Sequence, residues 1–252
     1  MTAVFVVLLA FLELALKAMG ALRKPPPRGQ RVFFWLSPLL AVATLGRVQP
    51  ADTRRVICLF GRVACAVGCF LGAHWLLRRL AVHAGLTGPG PALSYVAAPL
   101  LWLGTGAFAD LVRPLYLPFG RILPPVHDGV LGTRSLADFW GRRWNLWMSD
   151  WFRQVILGLC RRRPGLAVFA VFLWSGLIHE YVVNFGLWLV HGRNQFGSML
   201  IYFGLQAGGL EFERAWLENH AWLRRIFAWV IVIGPVPLFL NEGLLRVLHF
   251  WF

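Results

Sequence analysis

The 252-residue chain predicts an all-α fold, a polytopic transmembrane helical bundle of about six to eight membrane segments with one amphipathic helix in the interface. Three observations carry that expectation. Hydrophobic residues make up 58% of the chain and charged residues 14%, against about a quarter charged in soluble domains, and mean hydropathy is +0.62. The apolar residues gather in runs close to the roughly 20 residues that a crossing helix needs. The 25 basic residues, all Arg except Lys17 and Lys24, lie mostly in the short stretches between those runs. A net charge of +14 placed in this way reads as loops facing anionic lipid or as a site for a phosphorylated ligand, not as a nucleic-acid surface. The Arg excess is equally what GC-rich codon usage produces.

The first run, 2–19, is interrupted by Glu13 and Lys17. It has no basic residue ahead of it and so is expected to stay attached, unlike a signal peptide. A basic, Pro-rich loop follows, with Lys24, Arg28 and Arg31 around Pro25, Pro26 and Pro27. The run 32–46 is short for a crossing. Runs 56–77 and 93–112 are clearer, 166–190 is the strongest, and 196–210 and 226–240 complete the set, the last kinked by Pro235 and Pro237. Residues 244–252 end in aromatics suited to an interface. The Arg-rich segment 113–163 should face the cytoplasm, as should the first loop. Both do so if 32–46 is re-entrant or interfacial rather than crossing. No repeat or separate soluble domain interrupts the pattern, so 1–252 is expected to be a single membrane-embedded domain.

Ser135-Leu-Ala-Asp138 reads as a capping box opening a helix. Beyond it Trp140, Trp144, Trp147 and Trp151 fall on one helical stripe, and Asp138, Arg142, Asn145 and Ser149 on another. Such a helix suits the membrane interface, and its polar stripe could meet a ligand there. The run 166–190 holds Ser175, His179, Glu180 and Asn184. Ionisable groups inside an apolar helix face a bundle interior or a wet cavity. Ser175 shares a face with His179, and Glu180 with Asn184. Two readings stand for this set, a polar seam between helices and a histidine general base. Cys58, Cys65 and Cys69 sit in an apolar run as small buried hydrophobes, while Cys160 beside an Arg cluster is a candidate reactive thiol. No His, Cys or carboxylate set has metal-ligand spacing, so no metal is expected.

Two stretches together resemble a known family. Ser135-Leu-Ala-Asp-Phe-Trp-Gly-Arg-Arg-Trp-Asn145 is similar to the signature of membrane-bound O-acyltransferases of the wax synthase branch. Trp174-Ser-Gly-Leu-Ile-His-Glu-Tyr181 is similar to the family's second motif. The resemblance covers about 133–186. It implies a helical membrane enclosure with His179 as catalytic histidine and Asn145 as the second signature polar residue. It further implies acyl-CoA as co-substrate, no other cofactor, and a lipid alcohol as acceptor. Arg142, Arg143, Arg161, Arg162 and Arg163 are candidates for the coenzyme A phosphates, a solvated or lipid-facing patch being the alternative. Trp140, Trp144, Ser175 and Glu180 complete the candidate substrate-binding set, the two tryptophans being equally readable as packing anchors. Many relatives are longer, which bears on the acceptor. Another hydroxyl acceptor (sterol, diacylglycerol, polyketide or sugar) and a non-catalytic transporter or lipid-binding protein are the alternatives. The host membrane is a bacterial inner membrane or the endoplasmic reticulum.

Overall fold

A computed structural model describes residues 1–86, 88, 90–159 and 163–250. The first apolar run forms α1 (Thr2–Arg23), and the charges inside it have a structural use. Lys17 is buried, pairs with Glu13 at 3.2 Å, and donates to the carbonyls of Trp35 (3.0 Å) and Ser37. Those carbonyls end α2 (Arg31–Leu36), so a buried ammonium meets the negative end of a helix. Pro38 holds Ser37 in an extended conformation. The run 32–46 is therefore split into α2 and α3 (Val42–Leu45), neither of crossing length. This broken segment is packed into the protein through Phe34, Leu39 and Ala41.

Asp52 caps α4 (Thr53–His83) by accepting the Arg55 N–H at 2.9 Å, and α5 (Pro91–Val112) packs along α4. A 3₁₀ stretch over Arg113–Phe119 follows. It leads to a two-residue antiparallel pairing of β1 (Gln49–Pro50) with β2 (Arg121–Ile122). The helical turn α6 (Leu136–Asp138) and α7 (Leu146–Leu159) carry the first motif. α8 (Pro164–His179) continues through a π-turn, Glu180–Asn184, into α9 (Phe185–His191). Then come α10 (Ser198–Trp216), α11 (Ala221–Ile233), α12 (Val236–Phe239) and α13 (Glu242–Val247).

The chain is an all-helical, multi-pass membrane protein. Five described helical stretches are long and apolar enough to cross: Thr2–Arg23, Thr53–His83, Pro91–Phe119, Gly165–His191 and Ala221–Phe239. That is fewer than the six to eight expected. The 32–46 run is broken, and α10 carries Glu211, Glu213 and Arg214 in its last turns. The amphipathic segment, however, is not one unbroken helix. The segment from Ser135 to Trp151 is interrupted, and Trp147 and Trp151 are core residues. Their indole N–H groups donate to the carbonyls of Pro124 (3.1 Å) and Leu16 (2.8 Å). Cys58, Cys65 and Cys69 are exposed on α4 rather than buried, while Cys160 lies outside the described residues.

Candidate active site

The first motif folds as an interrupted helix. The Ser135 hydroxyl accepts the Asp138 N–H at 3.0 Å and the Asp138 carboxylate accepts the Arg134 N–H at 3.0 Å, a capping arrangement shifted by one residue. Phe139–Arg143 then widens into a π-turn closed by the Trp144 N–H on the Phe139 carbonyl, 2.9 Å. Trp144 is extended, and Asn145 takes the left-handed conformation with φ +39°. Such π-turns and left-handed non-glycine residues concentrate at functional sites.

The neighbouring loop supplies what the helix gives up. The Leu146 N–H donates to the Val126 carbonyl (2.8 Å), and the Asp128 N–H to the Arg143 carbonyl (3.0 Å). His127 Nδ1 accepts the Asn145 N–H at 3.3 Å. An accepting Nδ1 puts the ring proton on Nε2, 2.8 Å from the Thr105 hydroxyl, which donates in turn to the Leu101 carbonyl at 2.7 Å. The His127 ring lies 4.4 Å from that of Trp144. Burial pushes the imidazole down to about 4, against the opposing pull of the Asp110 charge, so the accepting form is the stable one at neutral pH. Asn145 Oδ1 accepts the Met148 N–H at 3.3 Å and starts α7 as an N-cap.

The second motif places His179 at the end of α8. Its Nδ1 lies 2.7 Å from the Ser175 carbonyl, an acceptor only, so Nδ1 carries the proton and the Nε2 lone pair has no hydrogen-bond partner among the described residues. Phe203 (4.8 Å between ring centroids) and Phe239 (5.1 Å) flank the imidazole. Glu180 points elsewhere. Its Oε1 accepts the N–H groups of Gly197 (2.9 Å), Met199 (2.9 Å) and Leu200 (3.2 Å), and its Oε2 accepts the Asn184 amide at 2.7 Å. The glutamate therefore caps α10, whose own N-cap is a glycine. Asn184, itself fully buried, also donates to Ser198 Oγ (3.1 Å) and accepts the Asn241 amide (2.7 Å), closing a largely buried polar clasp.

Helix α10 joins the two motifs. Near its far end the Glu213 carboxylate accepts the Leu136 N–H (2.6 Å) and the Ala137 N–H (3.4 Å), the first donors of α6. Midway, Gln206 accepts the Trp140 indole N–H (3.2 Å) and donates to the Ile231 carbonyl (2.7 Å). Phe203 lies between Trp140 (5.9 Å) and His179. α8 and α10 meet closely because Gly176 has no side chain; a Cβ there would fall 2.8 Å from the Leu200 side chain.

The structure thus draws Trp140 and His179 around Phe203. Asn145 and His179 share no hydrogen bond. Trp144 packs between Phe139 (5.6 Å) and His127. Arg143 is engaged internally, with Nε on Asp138 (2.6 Å) and Nη1 on the Gly129 carbonyl (2.8 Å). Although partial burial opposes it, those contacts and the Arg134 N–H hold the Asp138 carboxyl below its usual range. Arg142 and Arg163 are exposed, and Arg161 and Arg162 lie outside the described residues. His127, Phe203, Gln206 and Glu213 are the site elements that the motif reading missed. Gln206 and Glu213, seven residues apart on one helical face, carried a signal as polar groups in a largely apolar helix.

Both motifs, His127 and Phe203 fall within 123–203, and that stretch matches the Membrane bound O-acyl transferase family. The motif-bearing segment belongs to that family. Over 69 residues this chain is 41% identical to "Probable long-chain-alcohol O-fatty-acyltransferase 7" of Arabidopsis thaliana, covering 23% of this chain and 20% of the relative. A second Arabidopsis thaliana protein, "Probable long-chain-alcohol O-fatty-acyltransferase 3", is 29% identical over 153 residues, 56% of this chain and 42% of its own. "Sterol O-acyltransferase 2" of Rattus norvegicus is 29% identical over 213 residues, 72% of this chain and 36% of its own. The chain spans less than half the length of each of these relatives.

Proposed function

We propose that this protein is an acyl-CoA-dependent O-acyltransferase that moves a fatty acyl chain onto the hydroxyl of a lipid alcohol, with His179 as general base. The observation that carries the reading is the Nδ1–H bond of His179 to the Ser175 carbonyl, which orients the ring and leaves Nε2 free to accept a proton. Nε2 takes the proton of the acceptor hydroxyl as its oxygen attacks the thioester carbonyl. The C–O bond forms, the tetrahedral oxyanion collapses with loss of the C–S bond, and the thiolate recovers the proton from the imidazolium. No further cofactor enters this sequence. With Oδ1 of Asn145 engaged by the Met148 N–H, its Nδ2 has no protein partner among the described residues and can donate to the developing oxyanion. The aromatic flank of Phe203 and Phe239 suits an acyl chain.

A sterol acceptor is the second reading, supported by the match to a sterol acyltransferase over 72% of this chain. Membranes holding the native protein or His179→Ala at equal abundance, given labelled palmitoyl-CoA with fatty alcohols or cholesterol, test both. A labelled ester that disappears with the variant supports the base, and its acceptor decides between the readings. Equal ester from the two proteins would remove His179 from the chemistry.

A further inference from the structure

Away from His179, a cleft of about 610 Å³ opens between the end of α1, the start of α3 and the later turns of α7. Its lining includes Arg23, Lys24, Asp150, Arg153, Gln154 and Gly158. Arg23 and Lys24 are exposed, and no carboxylate pairs with either among the described residues. Asp150, the acidic group in the lining, is already neutralised. It accepts from Arg153 (2.8 Å), from the Thr44 hydroxyl (2.9 Å) and from Arg47. The walls are fixed in advance, because Gln154 donates to the Gly20 carbonyl of α1 (2.7 Å) and accepts the Ala43 N–H of α3 (3.4 Å). At Gly158 there is room for the Arg23 guanidinium, which sits 3.6 Å from where a Cβ would be. A rigid, roomy, uncompensated cationic cleft favours a multiply charged oxyanion, and arginine beside lysine matches phosphate chemistry.

The position relates the cleft to the reaction. α1 runs antiparallel to α8 and α9, since Leu8 lies against Gly186 while Leu16 shares a cluster with Ile178. Arg23, seven residues beyond Leu16, is therefore displaced along the bundle by roughly 10 Å from the level of His179. An anion held there would be separated from the imidazole by an extended linker.

We propose that this cleft binds the phosphate of an anionic ligand, either the nucleotide phosphates of the acyl carrier or the headgroup of an acidic lipid. The carrier assignment rests on the acyltransferase reading; the phosphate site itself does not. The test uses the full chain in phosphatidylcholine nanodiscs, with adenosine 3′,5′-bisphosphate as probe in a calorimetric titration. The double variant Arg23→Gln/Lys24→Gln is compared with native protein and with Arg225→Gln, an exposed arginine on another helix. A second arm replaces part of the lipid with phosphatidylglycerol and measures its retention on re-purification. Bisphosphate affinity at least tenfold weaker in the double variant alone supports the carrier source. Selective loss of phosphatidylglycerol in that variant, without bisphosphate binding by any form, supports the headgroup source. Native and double variant behaving alike in both arms overturns the site. Should the double variant lose its native melting transition, Lys24→Gln alone, in an exposed loop position, is measured against the same criteria. Neither arm needs turnover, so ester formation and phosphate binding fail separately.

Discussion

At Asn145 the backbone and the side chain have separable duties. The left-handed φ suits glycine better than any residue with a Cβ, whereas the proposed mechanism requires the amide as a donor. Asn145→Gly and Asn145→Ala should therefore lose activity alike, roughly a hundredfold if Nδ2 meets the oxyanion. The Ala variant should be the less stable by about 1 kcal/mol, readable in a thermal melt. An Ala variant as stable as the Gly variant would mean that the turn is not under strain. His127 makes a second prediction, through pH. Its folded value of about 4 lies below the 6.5 of an unperturbed histidine. Between those values the unfolded chain binds a proton that the folded chain does not. This contribution is complete above about pH 6.5, is lost progressively as pH falls, and levels off below about 4, amounting to about 3 kcal/mol. Melting temperatures at pH 7.5, 5.5 and 4.5 should fall less steeply for His127→Asn than for native protein. Equal slopes would show that His127 is not the group responsible.

Among the elements, α10 holds the site together, and its polar residues face both motifs. Glu180→Ala strands three N–H donors at its start and is expected to destabilise by about 3 kcal/mol, with Glu180→Gln intermediate. If Glu180 acts only through α10, Glu180→Gln leaves the KM for the proposed acceptor unchanged; a raised KM with unchanged melting would place Glu180 on the substrate instead. Gly176→Val should force α8 from α10 at a cost of about 1–3 kcal/mol, with loss of ester formation. Much of this level was legible beforehand. The apolar runs located most of the long helices, Pro235 marked the break before α12, and the pairing of Glu180 with Asn184 followed from helical spacing. The tryptophan stripe misled because periodicity assumes an unbroken helix. At Trp144 the loop around His127 offers the main chain other partners, and nothing local in 135–151 reveals them. The capping roles of Glu180 and Glu213 were hidden for a similar reason, since each partner lies on a different helix.

For the molecule as a whole, α4 stands out because its packing is chiefly against α5 and its other faces are uncovered. Ile57, Phe60, Leu71 and Trp75 are exposed there together with Cys58, Cys65 and Cys69, as expected of a surface turned to lipid. In the folded, bilayer-embedded protein neither N-ethylmaleimide nor a charged maleimide should label these thiols, because the reactive thiolate does not form in hydrocarbon, and both should label them after denaturation. Labelling of the folded protein by both reagents at equal rates would place that face in water.

The clasp of Asn184, Ser198 and Asn241 also bears on the order in which the protein is assembled. Asn184 leaves the ribosome well before its partner 57 residues downstream, and Glu180 before the α10 N–H groups that it caps. Until those segments follow, a carboxylate and an amide sit in apolar surroundings without their final partners, an unfavourable state in hydrocarbon. The second motif thus enters the membrane as an unfinished helix. The geometry of its polar clasp is complete only when a much later stretch of nascent chain docks, so residues 180–184 remain incompletely partnered through the synthesis of residues 184 to 241.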